Sequence, residues 1–577
     1  MSARTDPVTT EVIRNAFNAI AEDMSAALGR SAFSPIIYEC HDYGVALFNE
    51  KGETLGQAPG HPFFIGGLDW GVRSILERYG AEAIRGGDVF VINDSYITGG
   101  HLNDVDIISP IVHDDELVGF ASTRAHWFDI GTAEPGFPVN TTEIYQEGLR
   151  LGPTRIVAEG QPIDDIIDIM RMNSRSPKAL LGDLNAQIAA GRMGQRRYAE
   201  LIDRFGLETV RRSIEQVFDD TETKFRSFIE RIPDGTYTAE GWADNDFITD
   251  EPVRVAVRVT VAGGEMTIDT AGSNDQCRGN LNCGYANTVS ASRLALVFLY
   301  PHVAPEVNHG SFRSLTVLAE PGSIFAAEEP AACMHPHPGM LMLDLVIKAL
   351  APVLPEEAAA GLPGDSWNVF IMGTDPRTQT FFVSGESQEG GWGANAHADG
   401  ESALIHSAAG DFRNVPVETS EGRYPILVRG LALGQDSGGP GKFRGGLNVV
   451  KSYEILVDSL LTLHFDRSLT PSWGLFGGHA GSVPKVKVVD GDTSETREYL
   501  KVEQLPVPAG SRVVAETGGG GGYGNPHERD PDRVCQDVRS GYVSREAAKS
   551  IYGVVFGTSS CDVDQEETRK LRAGDKT

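Results

Sequence analysis

Basic side chains are in short supply: 50 Lys and Arg stand against 80 Asp and Glu in 577 residues, a formal net charge of −30. That excess repels phosphate backbones and acidic lipid surfaces, so neither nucleic acid nor a membrane is expected as a partner. Long apolar runs are missing too. The first apolar stretch is broken by Glu11, Arg14, Glu22 and Asp23, which suits neither a secretory leader nor a membrane-spanning helix. With 41% apolar residues and a mean hydropathy of −0.20, the composition is that of a soluble globular protein, and the cytoplasm is the expected location. Cysteine is scarce and scattered: Cys40, Cys277, Cys283, Cys333, Cys535 and Cys561 contain no Cys-x-x-Cys pair, so neither a disulfide framework nor a thiolate zinc site is indicated. The five glycines Gly518 to Gly522 lack the Lys-Ser/Thr of a phosphate loop; a tight turn is expected there, and no ATP or other cofactor-binding motif is assigned to this chain. Gly385-Glu386-Ser387-Gln388-Glu389 lacks the last glycine of a serine-hydrolase elbow.

What is present points to an α+β, multidomain protein with mixed β-sheets and a helical segment around 163–232. Ile13, Phe17, Ile20, Met24 and Leu28 recur at helical spacing. Tyr43 to Phe48, a turn at Asn49-Glu50-Lys51-Gly52, and Thr54 to Gly56 read as a hairpin. Asp88 to Asn93 and Val105 to Val112 are β-rich and flank a polar, glycine-containing loop. Three regions are expected: 1–235, carrying a metal site and the helical segment; 236–425, a central α+β region with helices at Thr288 to Leu299 and Met340 to Leu350; and 426–577, a glycine-rich β region with a short helix over Ser544 to Tyr552.

The chemistry-bearing stretch runs from Asn93 to Asp106, with His101 and Asp104 three residues apart, and continues in Arg124-Ala125-His126-Trp127-Phe128-Asp129. Neighbouring strands can bring His101, Asp104 and His126 together. Two imidazoles and a carboxylate form a borderline donor set suited to zinc, manganese or iron, and three protein ligands leave a position open. An ion so held lowers the pKa of water from roughly 15.7 towards about 7 and polarises a carbonyl. Asp106, Asp129 and Glu147 are nearby carboxylates able to orient a ligand or act as general base. His41-Asp42 and His61 lie in loops beside the first hairpin, where they could border the same cleft, but a structural role is expected. His335-Pro336-His337 reads as a loop with no evident carboxylate partner.

Asn93-Asp94, Gly99-Gly100-His101, Asp104, His126, Asp129-Ile130-Gly131, Pro135-Gly136 and Glu147-Gly148-Leu149 together resemble the signature of the hydantoinase B/oxoprolinase family. Asp42-Tyr43, Asn308 with Gly310 and Phe312, Asn414 to Glu418, Asp436 to Gly441, Arg444-Gly445-Gly446, Gly519 to Gly524 and Tyr552-Gly553-Val554 extend the likeness over nearly the whole chain. The resemblance implies a divalent metal on His101, Asp104 and His126; zinc or manganese is the expected ion, and Asp129 and Glu147 are the expected catalytic carboxylates. It also implies a hydantoinase A-type partner carrying ATP and magnesium, in a hetero-oligomer such as a dimer of heterodimers. The implied reaction is ATP-dependent opening of a small cyclic amide: a lactam, a hydantoin or 5-oxoproline. The alternative is a subunit of a ketone carboxylase, using bicarbonate. One departure concerns substrate choice: where the family commonly has His-x-Pro-x-His-x-Gly, this chain has Gly60-His61-Pro62-Phe63-Phe64-Ile65-Gly66.

Overall fold

The computed structural model describes residues 5–134, 137–300, 307–557 and 562–574, so Pro135-Gly136 and Cys561 lie outside the described residues. Four sheets organise it, and the architecture is α+β.

The first sheet has seven antiparallel strands, in the order Thr54–Gln57, Tyr43–Asn49, Glu116–His126, Asp104–His113, Val89–Ile92, Thr154–Ala158, Gln161–Pro162. Its central strands are buried on both faces, which is why they read as apolar runs and not as alternating ones. One face is covered by three helices, Pro7–Ser31, Pro177–Phe205 and Leu207–Ile229. Asp6 caps the first of these by accepting from the N–H groups of Val8 and Thr9, and Ile13, Phe17, Ile20, Met24 and Leu28 all face inward as their spacing required. On the other face, Leu68, Val72 and Ile75 of the helix Leu68–Tyr79 pack on Ala46, Phe48, Ile92 and Phe120. Asp106 and Arg124 face each other across two of these strands, and the guanidinium donates to the carboxylate from Nε at 2.5 Å and from Nη2 at 2.9 Å.

The second sheet has the order Leu315–Leu318, Glu265–Asp269, Val253–Ala262, Gly235–Ala243. It is mixed, with the first two strands parallel. It shares a core with the helices Tyr285–Leu299 and Pro338–Leu350, the second of which is apolar nearly all round and correspondingly buried. The third sheet (Thr380–Ser387, Asn368–Asp375, Ser459–His464, Lys501–Val507) takes strands from both sides of residue 425. The fourth (Ile426–Leu433, Val449–Ile455, Arg512–Glu516, Lys485–Val489, Thr496–Tyr499) packs against it through Trp367, Ile371, Leu461, Tyr453 and Val513. Among the described residues no helix is long and apolar enough to cross a membrane.

The glycine run corrects an expectation. Gly518 to Gly522 is not a tight turn; none of the five takes a positive φ. It is a buried length of backbone threaded between other backbones, and its amides and carbonyls bond to Gly391, Gly446, Gly439, Gly361, Ala394 and Leu475, among others. A Cβ on Gly520 would lie 1.9 Å from the carbonyl oxygen of Trp392, and one on Gly521 the same distance from that of Trp473. Glycine is required there for close approach.

Two stability predictions follow from this packing. Gly520→Ala, which cannot relax by moving a flexible side chain, should cost at least the upper end of the ~1–3 kcal/mol of an overpacked core, whereas Gly422→Ala, with open space in a helix, should be neutral or stabilising by up to about 1 kcal/mol; thermal denaturation of both variants checks the contrast. Asp106→Ala strands the buried Arg124 charge and should cost about 3–5 kcal/mol, read as a lower denaturant midpoint; an unchanged midpoint would refute the assigned role of the pair.

Candidate metal centre

Strand pairing assembles the site. The hairpin Asp104–His113 and Glu116–His126 is in register with Asp104 opposite His126, so both side chains leave the same face at the same end of the sheet. On the other side of His126, its N–H donates to the carbonyl of Asp42 at 3.1 Å, continuing the ladder that begins at Tyr43 and Ala125. Asp104, His126 and Asp42 are therefore three neighbouring strand ends.

His101 arrives from a loop. The short helix Ser95–Thr98 ends at Gly99 with φ 84°, and a tight turn follows in which the N–H of Asp104 donates to the carbonyl of His101 at 2.9 Å. A side chain at Gly99 would place its Cβ 2.2 Å from the amide nitrogen of Asn287, where the central helix Tyr285–Leu299 presses on this loop. At Gly100 it would sit 2.4 Å from the Asp104 carboxylate. The two glycines leave the space that lets the imidazole turn towards the strand ends.

One ligand atom from each of His101, Asp104 and His126 lies within 4.8 Å of the others. Asp104 Oδ1 is 3.2 Å from His101 Nδ1 and 3.5 Å from His126 Nδ1, and Asp42 Oδ2 is 3.9 Å from His126 Nδ1. Among the described residues, His101 Nδ1, Asp104 Oδ1 and Asp42 Oδ1 are buried with no hydrogen-bond partner. Burial holds His101 well below the ordinary imidazole range and lowers His126, so both are neutral, the state in which a ring nitrogen can ligate. Burial also pushes Asp104 well above the usual carboxylate range and Asp42 up to about 7. Orphaned donor atoms, neutral imidazoles and carboxylates lacking a cation are what a divalent ion would satisfy, so the residues fit a metal site.

Two contributors escaped the sequence reading, which had given them structural roles. Asp42 is one; the signal was its position immediately before a strand that pairs with the one ending at His126. His61 is the other: its Nε2 lies 3.9 Å from Asp42 Oδ1, its ring stacks on Phe64, and burial lowers it to about 3. Asp106, considered as an orienting group or base, is instead taken up by Arg124.

Asp129 and Glu147 stand behind the site and do not line its cavity. Asp129 accepts from Nη1 of Arg175 at 2.8 Å, from the backbone N–H of Arg175 and from Ser174 Oγ. Glu147, completely buried, accepts from the N–H groups of Cys333 and Met334 and from Thr141 Oγ1. His335 and His337 do lie in a loop, but the expectation of no carboxylate partner is corrected: His337 Nδ1 is 3.3 Å from Asp365 Oδ1, contributed from far along the chain.

The site forms part of one wall of a cavity of about 140 Å³, with His61, His101 and His126 among its lining residues. The third sheet supplies much of the opposite wall through Asn368, Phe370 and Ser384. The arrangement offers a cation-binding floor, apolar sides and a few polar groups able to orient a small polar molecule.

The hydantoinase B/oxoprolinase family model matches residues 6–526. The caprolactamase subunit beta of Pseudomonas jessenii is 31% identical over 98% of this chain and 99% of that protein. The crystal structure of the ATP-dependent caprolactamase from the same organism superposes with a TM-score of 0.91 at 30% identity, covering 99% of this chain and 100% of the matched chain. Nucleotide-free acetone carboxylase superposes with a TM-score of 0.90, covering 99% of this chain and 83% of that one, but at 19% identity the likeness is of fold alone. With a family model spanning most of its length, this chain belongs to the hydantoinase B/oxoprolinase family.

Proposed function

We propose that this chain is the metal-bearing subunit of an ATP-dependent enzyme that opens cyclic amides, acting with a hydantoinase A-type subunit that holds ATP and magnesium. The observation that carries the reading is the convergence of His101, Asp104, His126 and Asp42 on one buried point of a cavity, in a chain 31% identical to a caprolactamase subunit. A zinc or manganese ion bound there would polarise a substrate oxygen and make water acidic enough to attack at neutral pH.

The chain's own residues do the rest. His101 and His126 present neutral ring nitrogens because burial disfavours their charged forms. Asp104 and Asp42 supply the negative charge that a divalent ion balances. Asp42 also stands between the two other rings, its Oδ2 3.9 Å from Nδ1 of His126 and its Oδ1 3.9 Å from Nε2 of His61. Phe64, Phe137 and Phe370 keep the cavity apolar, while Asn287 and Ser384 offer hydrogen bonds to an amide. Asp129 and Glu147 act as positioning residues, Asp129 holding the loop after His126 and Glu147 the loop before His335. An amide is too unreactive for water alone at pH 7; phosphorylation of its oxygen by the partner's ATP makes the carbonyl carbon electrophilic enough for water to add. The ring C–N bond then breaks as the nitrogen takes a proton, and hydrolysis of the resulting acyl phosphate gives the open-chain acid and phosphate, which accounts for a two-subunit enzyme. Ketone carboxylation, the alternative, is supported by likeness of fold only, and bicarbonate has no part in this reading.

The copurified pair should consume ATP in a lactam-dependent manner, and ring opening should stop on chelation and return with zinc or manganese. His101→Ala should slow ring opening by roughly 1,000-fold or more, a loss of several kcal/mol of transition-state stabilisation. Lactam turnover at the wild-type rate in that variant would sink the proposal, and label from bicarbonate appearing in the organic product would favour the carboxylase instead.

A further inference from the structure

A buried imidazole nitrogen that meets no partner is destabilising, and this protein keeps several away from the centre described above. His335 and His464 are 0% exposed, and among the described residues none of their four ring nitrogens has a hydrogen-bond partner. His337 completes a group with them: one nitrogen from each ring lies within 4.8 Å of the other two. The ring centroids are 5.5 Å apart for His335 and His337, 4.2 Å for His335 and His464, and 4.7 Å for His337 and His464.

The positions of these rings are set by the backbone that carries them and, for His337, by one carboxylate. His335 and His337 lie on the loop leading into the helix Pro338–Leu350, stiffened by Pro336 and Pro338. Glu147 pins that loop through Cys333 and Met334, and the carbonyl of Asn280 accepts the N–H of His335 at 3.0 Å. His464 ends a strand of the third sheet, paired with Asn368. Asp365 Oδ1 stands 3.3 Å from His337 Nδ1, and Asp365 is itself fixed by the N–H groups of Ser366 and Asp466, each at 2.7 Å. A carboxylate behind an imidazole in this way sets the orientation of a metal-ligating ring.

Three explanations compete for such a cluster. Packing alone would be served better by apolar rings of similar size, which carry no unsatisfied nitrogens. Anion binding needs protonated imidazoles, and burial together with the neighbouring imidazoles disfavours the charged form of His335 and His464. A cation of borderline softness asks for imidazole nitrogens close together and free of other partners, which His335 and His464 supply beside His337. The nearby positive charge that would oppose it, Lys501, is already engaged, donating to Asp466 Oδ2 at 2.7 Å and to the carbonyl of Asn245 at 2.8 Å.

We propose that His335, His337 and His464 form a second divalent-cation site of the zinc class, separate from the centre at His101, Asp104 and His126. The two are one phenyl ring apart: the Phe137 centroid lies 4.9 Å from that of His101 and 4.6 Å from that of His335. His337 is the member that lines the cavity, so the coordination position left by three imidazoles opens there and suits an anionic oxygen of a bound molecule. The inference is independent of the reaction assigned to the first centre.

The test is zinc stoichiometry of the full-length chain, stripped with chelator, dialysed against buffered free zinc and measured by elemental mass spectrometry. Wild type should hold two zinc ions per chain, His335→Gln and His464→Gln one each, His101→Gln one, and His101→Gln/His464→Gln none. A wild-type value of one that both His335→Gln and His464→Gln retain would overturn the proposal; if His101→Gln then fell to none, the first centre would stand alone. Should both single variants of the second cluster fail to fold, cobalt(II) titration of wild type decides: absorbance of ligand-field bands rising to two equivalents supports the second site, and saturation at one equivalent overturns it.

Discussion

Ionisable groups withdrawn from water must find a counter-charge, and this requirement shapes the floor of the cavity. Asp42 and Asp104 are buried at strand ends on either side of His126, beside three imidazoles, His61, His101 and His126, whose charged forms burial disfavours. Arg124 is the nearby guanidinium, and its Nε and Nη2 donate to Asp106. Leaving two carboxylates short of compensation is a substantial cost in a low-dielectric setting. A fold can hold such an arrangement only if everything around it is rigid, which is the role of the doubly covered first sheet: with cores on both faces, its strand ends cannot splay apart to let water in.

The struts behind the site follow the same logic. Asp129 ties the segment after His126 to the start of the helix Pro177–Phe205 through Arg175, and Glu147 ties the loop before His335 to the first region. Neither needs to touch a substrate to matter. The glycine run acts at the far side: by letting backbones pass within hydrogen-bonding distance with no side chains between them, Gly518 to Gly522 joins segments around Gly361, Gly391, Gly439 and Gly446. Those segments brace the third sheet, which forms the wall facing the metal centre.

Local pattern made much of this legible and distance along the chain hid the rest. The helical spacing of Ile13 to Leu28, the hairpin from Tyr43 and the helices before Pro233 are properties of short windows, and each appears where its periodicity placed it. His101, Asp104 and His126 were legible because a single hairpin brings them together. Asp42 was harder to place, since its proximity depends on a strand pairing across some eighty intervening residues, and its one local signal is its position just before the strand that begins at Tyr43. The same holds for His464, which meets His335 and His337 only through the third sheet, and for Asp365. The glycines misled for a different reason: composition reports backbone freedom, while here the missing side chains serve close packing at ordinary φ values.

Phe137 connects these parts physically. Its ring meets His101 edge-on, lies 6.4 Å from His126, meets His335 edge-on and stacks at 5.8 Å on Phe370 of the third sheet. A single side chain thus contacts both imidazole groups and both walls of the cavity. An apolar ring in that place does two things that a polar one could not. It stands between His101 and His335 without offering a donor or acceptor of its own, and it adds to the burial that disfavours the charged form of His101. Any shift of the third sheet relative to the first must move this ring, so the geometry of the metal centre and the shape of the cavity are set by the same contact.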